Sequence, residues 1–313
     1  MLSLVLNNDG GWCDMGVNLH LSIIFFLLGC GSNASHALEK YRDSTEKVFI
    51  HYFLPLAMLF LVSLKEVNVG AALGYSGVYY LLALAFMICV NVFFKRQKAV
   101  EQGEALSMAF SASFSNLVLV GVPLFLWLDE SLLISLIYMI IPLHSIVLFL
   151  FASLMKAAQN QGNQRCLSIQ SIPFLSWAML VGVVLSQLHV WDGVDMENAK
   201  SYIVNTLQLG SIWVLSSRLT RGKFDCNCFK SAVSMTLAKT IVMPAFFFIA
   251  LVPFSFSMAV QMAMLAGLPI GLNTMGFTVG ASHEMKQSLS LALVISTVLS
   301  LLFIPIMFYC FQL

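Results

Sequence analysis

Charged residues are scarce in this sequence. Only 10% of its 313 residues are Asp, Glu, Lys or Arg and 59% are hydrophobic, whereas soluble domains carry about 25% charged residues. Because 16 basic residues are balanced by 15 acidic ones, there is no excess of basic charge for a nucleic-acid-binding surface. The mean hydropathy of +0.88 predicts a polytopic membrane protein instead.

Other absences narrow the function. The sequence has no Gly-rich phosphate-binding loop and no recognisable catalytic triad, so we expect neither ATP-driven transport nor enzyme activity, and no cofactor. The seven cysteines follow no disulfide or metal-site spacing, and the pair Cys226 and Cys228 offers only two ligands, so no metal is expected. The first 14 residues contain no Lys or Arg, which argues against a cleaved signal peptide.

Apolar runs are what the sequence does have. About 20 apolar residues form a helix that crosses a bilayer core, and the runs predict an all-α fold with ten transmembrane helices. The predicted spans are 15–31, 46–64, 71–94, 104–128, 131–155, 172–190, 201–217, 229–252, 257–279 and 286–312. They divide the chain into a first five-helix repeat (1–155), a cytoplasmic linker (156–171) and a second five-helix repeat (172–313).

Basic residues set the predicted orientation. Thirteen of the sixteen Lys and Arg residues lie in loops that follow odd-numbered spans, and the positive-inside rule makes those loops cytoplasmic. Both termini are therefore expected on the non-cytoplasmic side. Five spans per repeat make the second repeat enter the membrane in the opposite sense, so the two repeats are predicted to be inverted, with span 4 corresponding to span 9.

Those two corresponding spans both carry helix-breaking patterns, SFSNLVLVGVP at 113–123 and LAGLPIGLNTMGFTVG at 265–280. Broken helices survive in a bilayer only where they are buried in protein or line a cavity, and paired breaks predict a transporter's binding site. The predicted substrate-binding residues are Ser115, Asn116, Asn273 and Thr274. The predicted helix-break residues are Gly121, Pro123, Pro269 and Gly271. Ordinary helix packing is the alternative, and for the glycines it carries equal weight.

Three titratable residues within predicted spans are further candidates. Lys239 is costly in a membrane, and we expect it either to face the site, where it binds an anion or exchanges a proton, or to snorkel to the cytoplasmic surface. His51 and His144 are candidate proton-relay residues, although a helix–helix hydrogen bond is the commoner use of a membrane histidine.

Four stretches of the sequence carry family-like motifs. The first is SFSNLVLVGVPLF, with Asn116, Gly121 and Pro123. The other three, in chain order, are KVFIHYFLPLAMLF with Pro55, LAKTIVMP with Lys239 and Pro244, and LAGLPIGLN with Pro269 and Gly271. The first resembles the fourth-helix signature of the auxin efflux carrier family, and the others resemble its second, eighth and ninth helices, so the resemblance covers nearly the whole chain.

The resemblance implies a fold and an activity. The fold, which is shared with bile acid–sodium symporters, implies a scaffold from helices 1, 2, 6 and 7 and a transport domain from helices 3–5 and 8–10 that moves against it in the manner of an elevator. The implied protein is a bacterial-type permease of the inner membrane. Its implied substrate is a small organic anion such as a mono- or dicarboxylate. A homodimer is implied by the resemblance alone.

The sequence departs from the plant pattern and leaves alternatives open. Ser115 and Thr274 stand where plant crossovers have proline, and the short loop between spans 5 and 6 makes auxin itself a poor expectation. A sodium-coupled, bile-acid-type symporter and a non-transporting receptor remain alternatives, with a proton or sodium as candidate coupling ion. Acidic residues are nearly absent from the spans, which disfavours a sodium site.

Overall fold

The computed structural model describes residues 11–32, 36–64, 69–97, 102–128, 131–159, 174–219, 226–277 and 282–311. Within these residues every named element is a helix and no strand is formed. In chain order the α-helices are α1 (Gly11–Gly31), α2 (His36–Val48), α3 (Leu54–Ser63), α4 (Val69–Arg96), α5 (Gln102–Ser113), α6 (Val122–Trp127), α7 (Ser131–Gln159), α8 (Phe174–Gln187), α9 (Glu197–Leu219), α10 (Cys226–Leu237), α11 (Met243–Leu251), α12 (Phe256–Ala266), α13 (Thr274–Phe277) and α14 (His283–Phe311).

Five helical stretches of the described chain are long and apolar enough to cross a membrane. They are Leu38–Ser63, Gly74–Arg96, Leu132–Ala158, Cys228–Leu251 and His283–Phe311. Three shorter apolar helices cover Leu21–Gly31, Phe174–Gln187 and Phe256–Ala266. The protein is thus all-helical, with several helices that can span a bilayer.

Helices occur at the positions of all the predicted spans, although the boundaries shift. The helix at the second position begins at His36, ten residues or so before the predicted start, and α7 continues to Gln159, past the predicted end of the first repeat. Most of the predicted linker, from residue 160 onward, lies outside the described residues.

Three wide π-turns interrupt helices, and each precedes a proline by two residues. They are Phe49–Phe53 before Pro55, Leu117–Gly121 before Pro123 and Ala238–Val242 before Pro244. Proline has no N–H to donate, and its ring clashes with the carbonyl four residues earlier. A turn that is one residue wider relieves this clash, so these prolines bend their helices without ending them.

The helices pack in pairs that join distant parts of the chain. α1 packs on α9 and α3 on α8, while α4 packs on both α5 and α7, α10 on α14 and α11 on α12. Large side chains such as Tyr79, Phe110 and Phe247 are fully buried at the centre. Many apolar side chains face outward, with Leu81 and Ile249 about 70% exposed, as lipid-facing positions of a membrane protein are.

Candidate functional site: a crossover of two interrupted helices

The two interrupted helices meet at their breaks. α5 ends at Ser113 and α12 ends at Ala266, and the extended residues that follow them run antiparallel, with Ser115 opposite Ile270. The Asn116 N–H donates to the Pro269 carbonyl oxygen at 2.8 Å, and the Gly271 N–H donates to the Phe114 carbonyl oxygen at 2.9 Å. Each break thus provides hydrogen-bond partners for the other.

Side chains also form hydrogen bonds with backbone groups of the second break. The Ile270 N–H donates to Ser296 Oγ at 3.2 Å, and Ser300 Oγ donates to the Gly267 carbonyl at 2.7 Å, both from α14. Thr274 Oγ1 donates to the Gly271 carbonyl at 2.7 Å. Because no water is available inside a bilayer, such pairing is what allows irregular backbone at this depth.

Glycine makes the close approach of the two segments possible. A Cβ on Gly271 would lie 2.4 Å from Phe114 Cδ1, and a Cβ on Gly121 would lie 2.8 Å from Leu268 Cδ1. Contacts this short are steric overlaps. Both glycines therefore have a packing role at the crossover. From the sequence, a packing role and a direct functional role carried equal weight for them.

Asn116 is held by its own helix and keeps one polar group free. It caps the second half of its helix, since Oδ1 accepts from the Leu119 N–H at 3.2 Å. Its Nδ2 is buried and has no hydrogen-bond partner, and the whole residue is only 6% exposed. A buried amide donor without a partner is destabilising, so it is a position where a ligand oxygen is favoured.

A cavity of about 630 Å³ lies against the crossover, within the usual range for small-molecule sites. Its polar wall contains Ser115, Asn116, His144, Ser145, Ser176 and Asn273. Its apolar wall includes Phe114, Phe149, Phe174, Leu117, Ile141 and Met275. Among the lining residues that the structure describes, none is Lys, Arg, Asp or Glu. The lining therefore combines neutral polar groups with a larger number of apolar side chains.

Both candidate histidines line this cavity but differ in environment. His144, from α7, is 3% exposed and its ring lies 4.5 Å from the Phe114 ring, centroid to centroid. The Ser115 backbone is close to it, yet neither ring nitrogen forms a hydrogen bond of ordinary geometry. His51, in the first π-turn, is exposed. The helix–helix hydrogen bond that is the commoner use of a membrane histidine stays an alternative for His144, whose ring lies beside the Ser115 backbone.

Lys239 reaches the crossover from the third π-turn. It is fully buried; its Nζ donates to Ser115 Oγ at 2.6 Å and lies 3.2 Å from Met243 Sδ. Among the described residues it has no ion-pair partner. The nearby end of α5 at Ser113 contributes the negative end of a helix dipole, which favours a cation. The Lys239 side-chain nitrogen thus points into the protein rather than to its surface.

The structure brings together most of the residues that the sequence selected. Ser115, Asn116, Asn273, Gly271, His51 and His144 line one cavity. Outside its lining are Lys239, Thr274, Gly121, Pro123 and Pro269. All of these except Pro123 form hydrogen bonds to crossover residues. Sequence reasoning did not select Tyr79, whose hydroxyl donates to Ser115 Oγ at 3.0 Å. Nothing in its apolar context distinguishes it from neighbouring Tyr80.

Comparison with known proteins leaves the family untested. No family model matches the chain, and no curated protein is significantly similar to it. The resemblance to auxin efflux carriers therefore stays a prediction from the quoted motifs.

Proposed function

We propose that this protein is a secondary transporter that moves a small organic anion across the membrane by alternating access, with its binding site at the crossover. The observation that carries the proposal is the hydrogen-bonded pair of helix breaks beside a cavity into which Asn116 brings an unpaired amide donor. Interrupted helices that meet beside a cavity are the usual binding site of transporters built from repeats. A protein of the auxin efflux carrier type would be organised in this way.

The pairing of helices supports two inverted repeats. In the proposed numbering, α1 packs on α9 as helix 1 on helix 7, and α8 packs on α3 as helix 6 on helix 2. Helices 1 and 6 correspond in the two repeats, and so do helices 2 and 7. The two packed pairs are therefore repeat counterparts. The same relation links α4 with α7 and α10 with α14. A ten-helix arrangement with a pseudo-two-fold axis through the crossover accounts for these paired contacts.

The chemistry of the cavity favours an anion as substrate. The Asn116 amide and the Ser115 hydroxyl can both donate, and the helix that resumes after Asn116 directs its N–H groups toward the break. A carboxylate accepts hydrogen bonds at both oxygens and does not donate. In its protonated form the buried Lys239 side chain, with no acidic partner in the described chain, adds a positive field behind Ser115.

The lining of the cavity favours one carboxylate over two. The described lining residues include no Lys or Arg side chain, and most of them are aliphatic or aromatic. A second ionised carboxylate placed against apolar side chains would be strongly disfavoured. Within the mono- or dicarboxylate class, a monocarboxylate with an apolar body is thus the better fit.

The alternatives predict different features. A sodium symporter of the bile-acid type needs several carboxylate or carbonyl oxygens around the ion, and the described lining contains no carboxylate. A receptor does not need two interrupted helices that cross. A proton is therefore the better candidate for coupling, with His144 and His51 as the titratable groups on the cavity wall.

The test is transport by purified protein in liposomes. Labelled malonate, malate, benzoate and hexanoate are supplied outside, under a proton gradient, under a sodium gradient and with neither. We expect benzoate or hexanoate to accumulate above protein-free liposomes, with an inward proton gradient increasing the rate and replacement of sodium by choline having no effect. Accumulation of none of the four would refute the proposal, and dependence on sodium would favour the symporter alternative.

A further inference from the structure

The hydroxyl of Ser115 is the point where two buried donors meet. Lys239 Nζ approaches Ser115 Oγ at 2.6 Å and the Tyr79 hydroxyl approaches the same oxygen at 3.0 Å. The two donors come from separate helical segments, and all three side chains are at most 1% exposed. Only Ser115 lines the cavity; Lys239 and Tyr79 lie behind it.

The hydrogen-bonding capacity of a hydroxyl determines which further hydrogen bonds Ser115 can form. A serine oxygen accepts two hydrogen bonds and donates one, and an ammonium can only donate. With Lys239 and Tyr79 both donating to it, the oxygen has no remaining lone pair for a third donor. Its own hydrogen is then directed to the open side, which is the cavity.

When Lys239 is protonated, its charge also strengthens that donor. A hydrogen bond from an ionised group is about twice as strong as a neutral one, and an oxygen that accepts it becomes a better donor through its own O–H. The ammonium thus acts on a ligand in the cavity through Ser115, without a contact of its own.

We propose that Lys239 and Tyr79 are positioning residues that hold the Ser115 hydroxyl as a hydrogen-bond donor to the carboxylate of the transported anion. Ser115 and the Asn116 amide would then donate from adjacent residues to one carboxylate. This inference rests on the proposed transport of an organic anion. It assigns anion selectivity to a charge that the anion does not touch.

A double-mutant cycle tests the indirect action of Lys239. Kd is measured by titration calorimetry for whichever of malonate, malate, benzoate and hexanoate binds the wild type most tightly. Lys239→Met keeps the side-chain length and removes the charge, and Ser115→Ala removes the hydroxyl. We expect each single variant to raise Kd about tenfold, which is about 1.4 kcal/mol. The Kd of the double variant should stay within about twofold of the Kd of Ser115→Ala.

Two adjacent tyrosines provide a matched control. Tyr79→Phe removes the second donor to Ser115, whereas Tyr80→Phe removes a buried hydroxyl that donates to the Ile140 carbonyl and not to Ser115. We expect Tyr79→Phe to raise Kd about fivefold, within the ordinary range for one buried hydrogen bond, and Tyr80→Phe to leave Kd unchanged. In transport assays the Tyr79→Phe effect should fall on KM, with kcat nearly unchanged.

The outcomes separate this inference from the proposed function. If the wild type binds an anion but the effects of Lys239→Met and Ser115→Ala multiply, Lys239 acts independently of Ser115 and the inference fails while the function stands. Equal effects of Tyr79→Phe and Tyr80→Phe on Kd would likewise overturn it. If the wild type binds none of the four anions, the inference and the proposed function both fall.

Discussion

Asn116 has two separate roles in the structure, and removing its side chain should affect two measurements differently. Its Oδ1 caps the resumed helix through the Leu119 N–H, and its Nδ2 is an unpaired donor at the cavity. Asn116→Ala therefore removes a helix cap and a proposed ligand contact together. A second capping residue, Ser255, makes the two effects separable.

The magnitudes follow from the contacts. Loss of a cap lowers the free energy of unfolding by about 1 kcal/mol, and for a chain of this size that shifts the melting temperature by roughly 2 °C. Loss of a hydrogen bond to a charged ligand weakens binding by about 1.5–3 kcal/mol, a Kd at least tenfold higher. Asn116→Ala should show both changes.

Ser255→Ala is the control. Ser255 Oγ accepts from the Met258 N–H at 3.3 Å at the start of α12, and Ser255 is outside the cavity lining. Thermal unfolding in detergent, with and without benzoate, measures stability and binding in one experiment, because a ligand that binds the folded state raises its melting temperature. We expect Ser255→Ala to melt earlier but keep the full benzoate shift. An Asn116→Ala variant that keeps the full shift would refute the site.

Two further predictions concern the stability of the crossover. Gly271→Ala should lower the free energy of unfolding by about 1–3 kcal/mol and abolish anion binding, because the new Cβ would overlap Phe114 and press on the Ser115 carbonyl; Gly74→Ala, where a Cβ meets nothing within 4 Å, is its control in the same melting assay. Lys239→Met should leave the free energy of unfolding unchanged or raise it slightly, since it removes a buried charge that costs about 2.5–3.5 kcal/mol along with a hydrogen bond worth about 1.5–3 kcal/mol. A loss above about 3 kcal/mol in chemical denaturation would reveal a counter-ion for Lys239 and contradict this reasoning.

Much of the helical layout could be predicted because apolar run length is a local property. The runs located the helices within a few residues except at the start of the second one, and Pro123, Pro269 and the neighbouring glycines located both interruptions. The predicted repeat symmetry led us to expect that the two interruptions lie together. The antiparallel bridge between Ser115 and Ile270 is the contact that joins them.

The partners of the site could not be predicted because they depend on helix rotation. Tyr79 and Tyr80 are adjacent in sequence, yet only one hydroxyl points at Ser115. Which of them does so depends on how α4 packs against its neighbours. Lys239 posed the same problem, since its sequence context allowed either a cavity-facing or a snorkelling side chain. The π-turns could not be predicted from the sequence either, because the extra residue in each accommodates a proline within a packed helix.

The bridge between the two breaks also constrains how the chain is made. The Asn116 N–H and the Phe114 carbonyl find their partners in residues far along the chain, Pro269 and Gly271. When the ribosome has delivered only the first half of the chain to the membrane, those groups have no partner from the crossover. The crossover is thus among the last parts to form, and a chain truncated before Pro269 is expected to be recognised by membrane quality control rather than to persist half-formed.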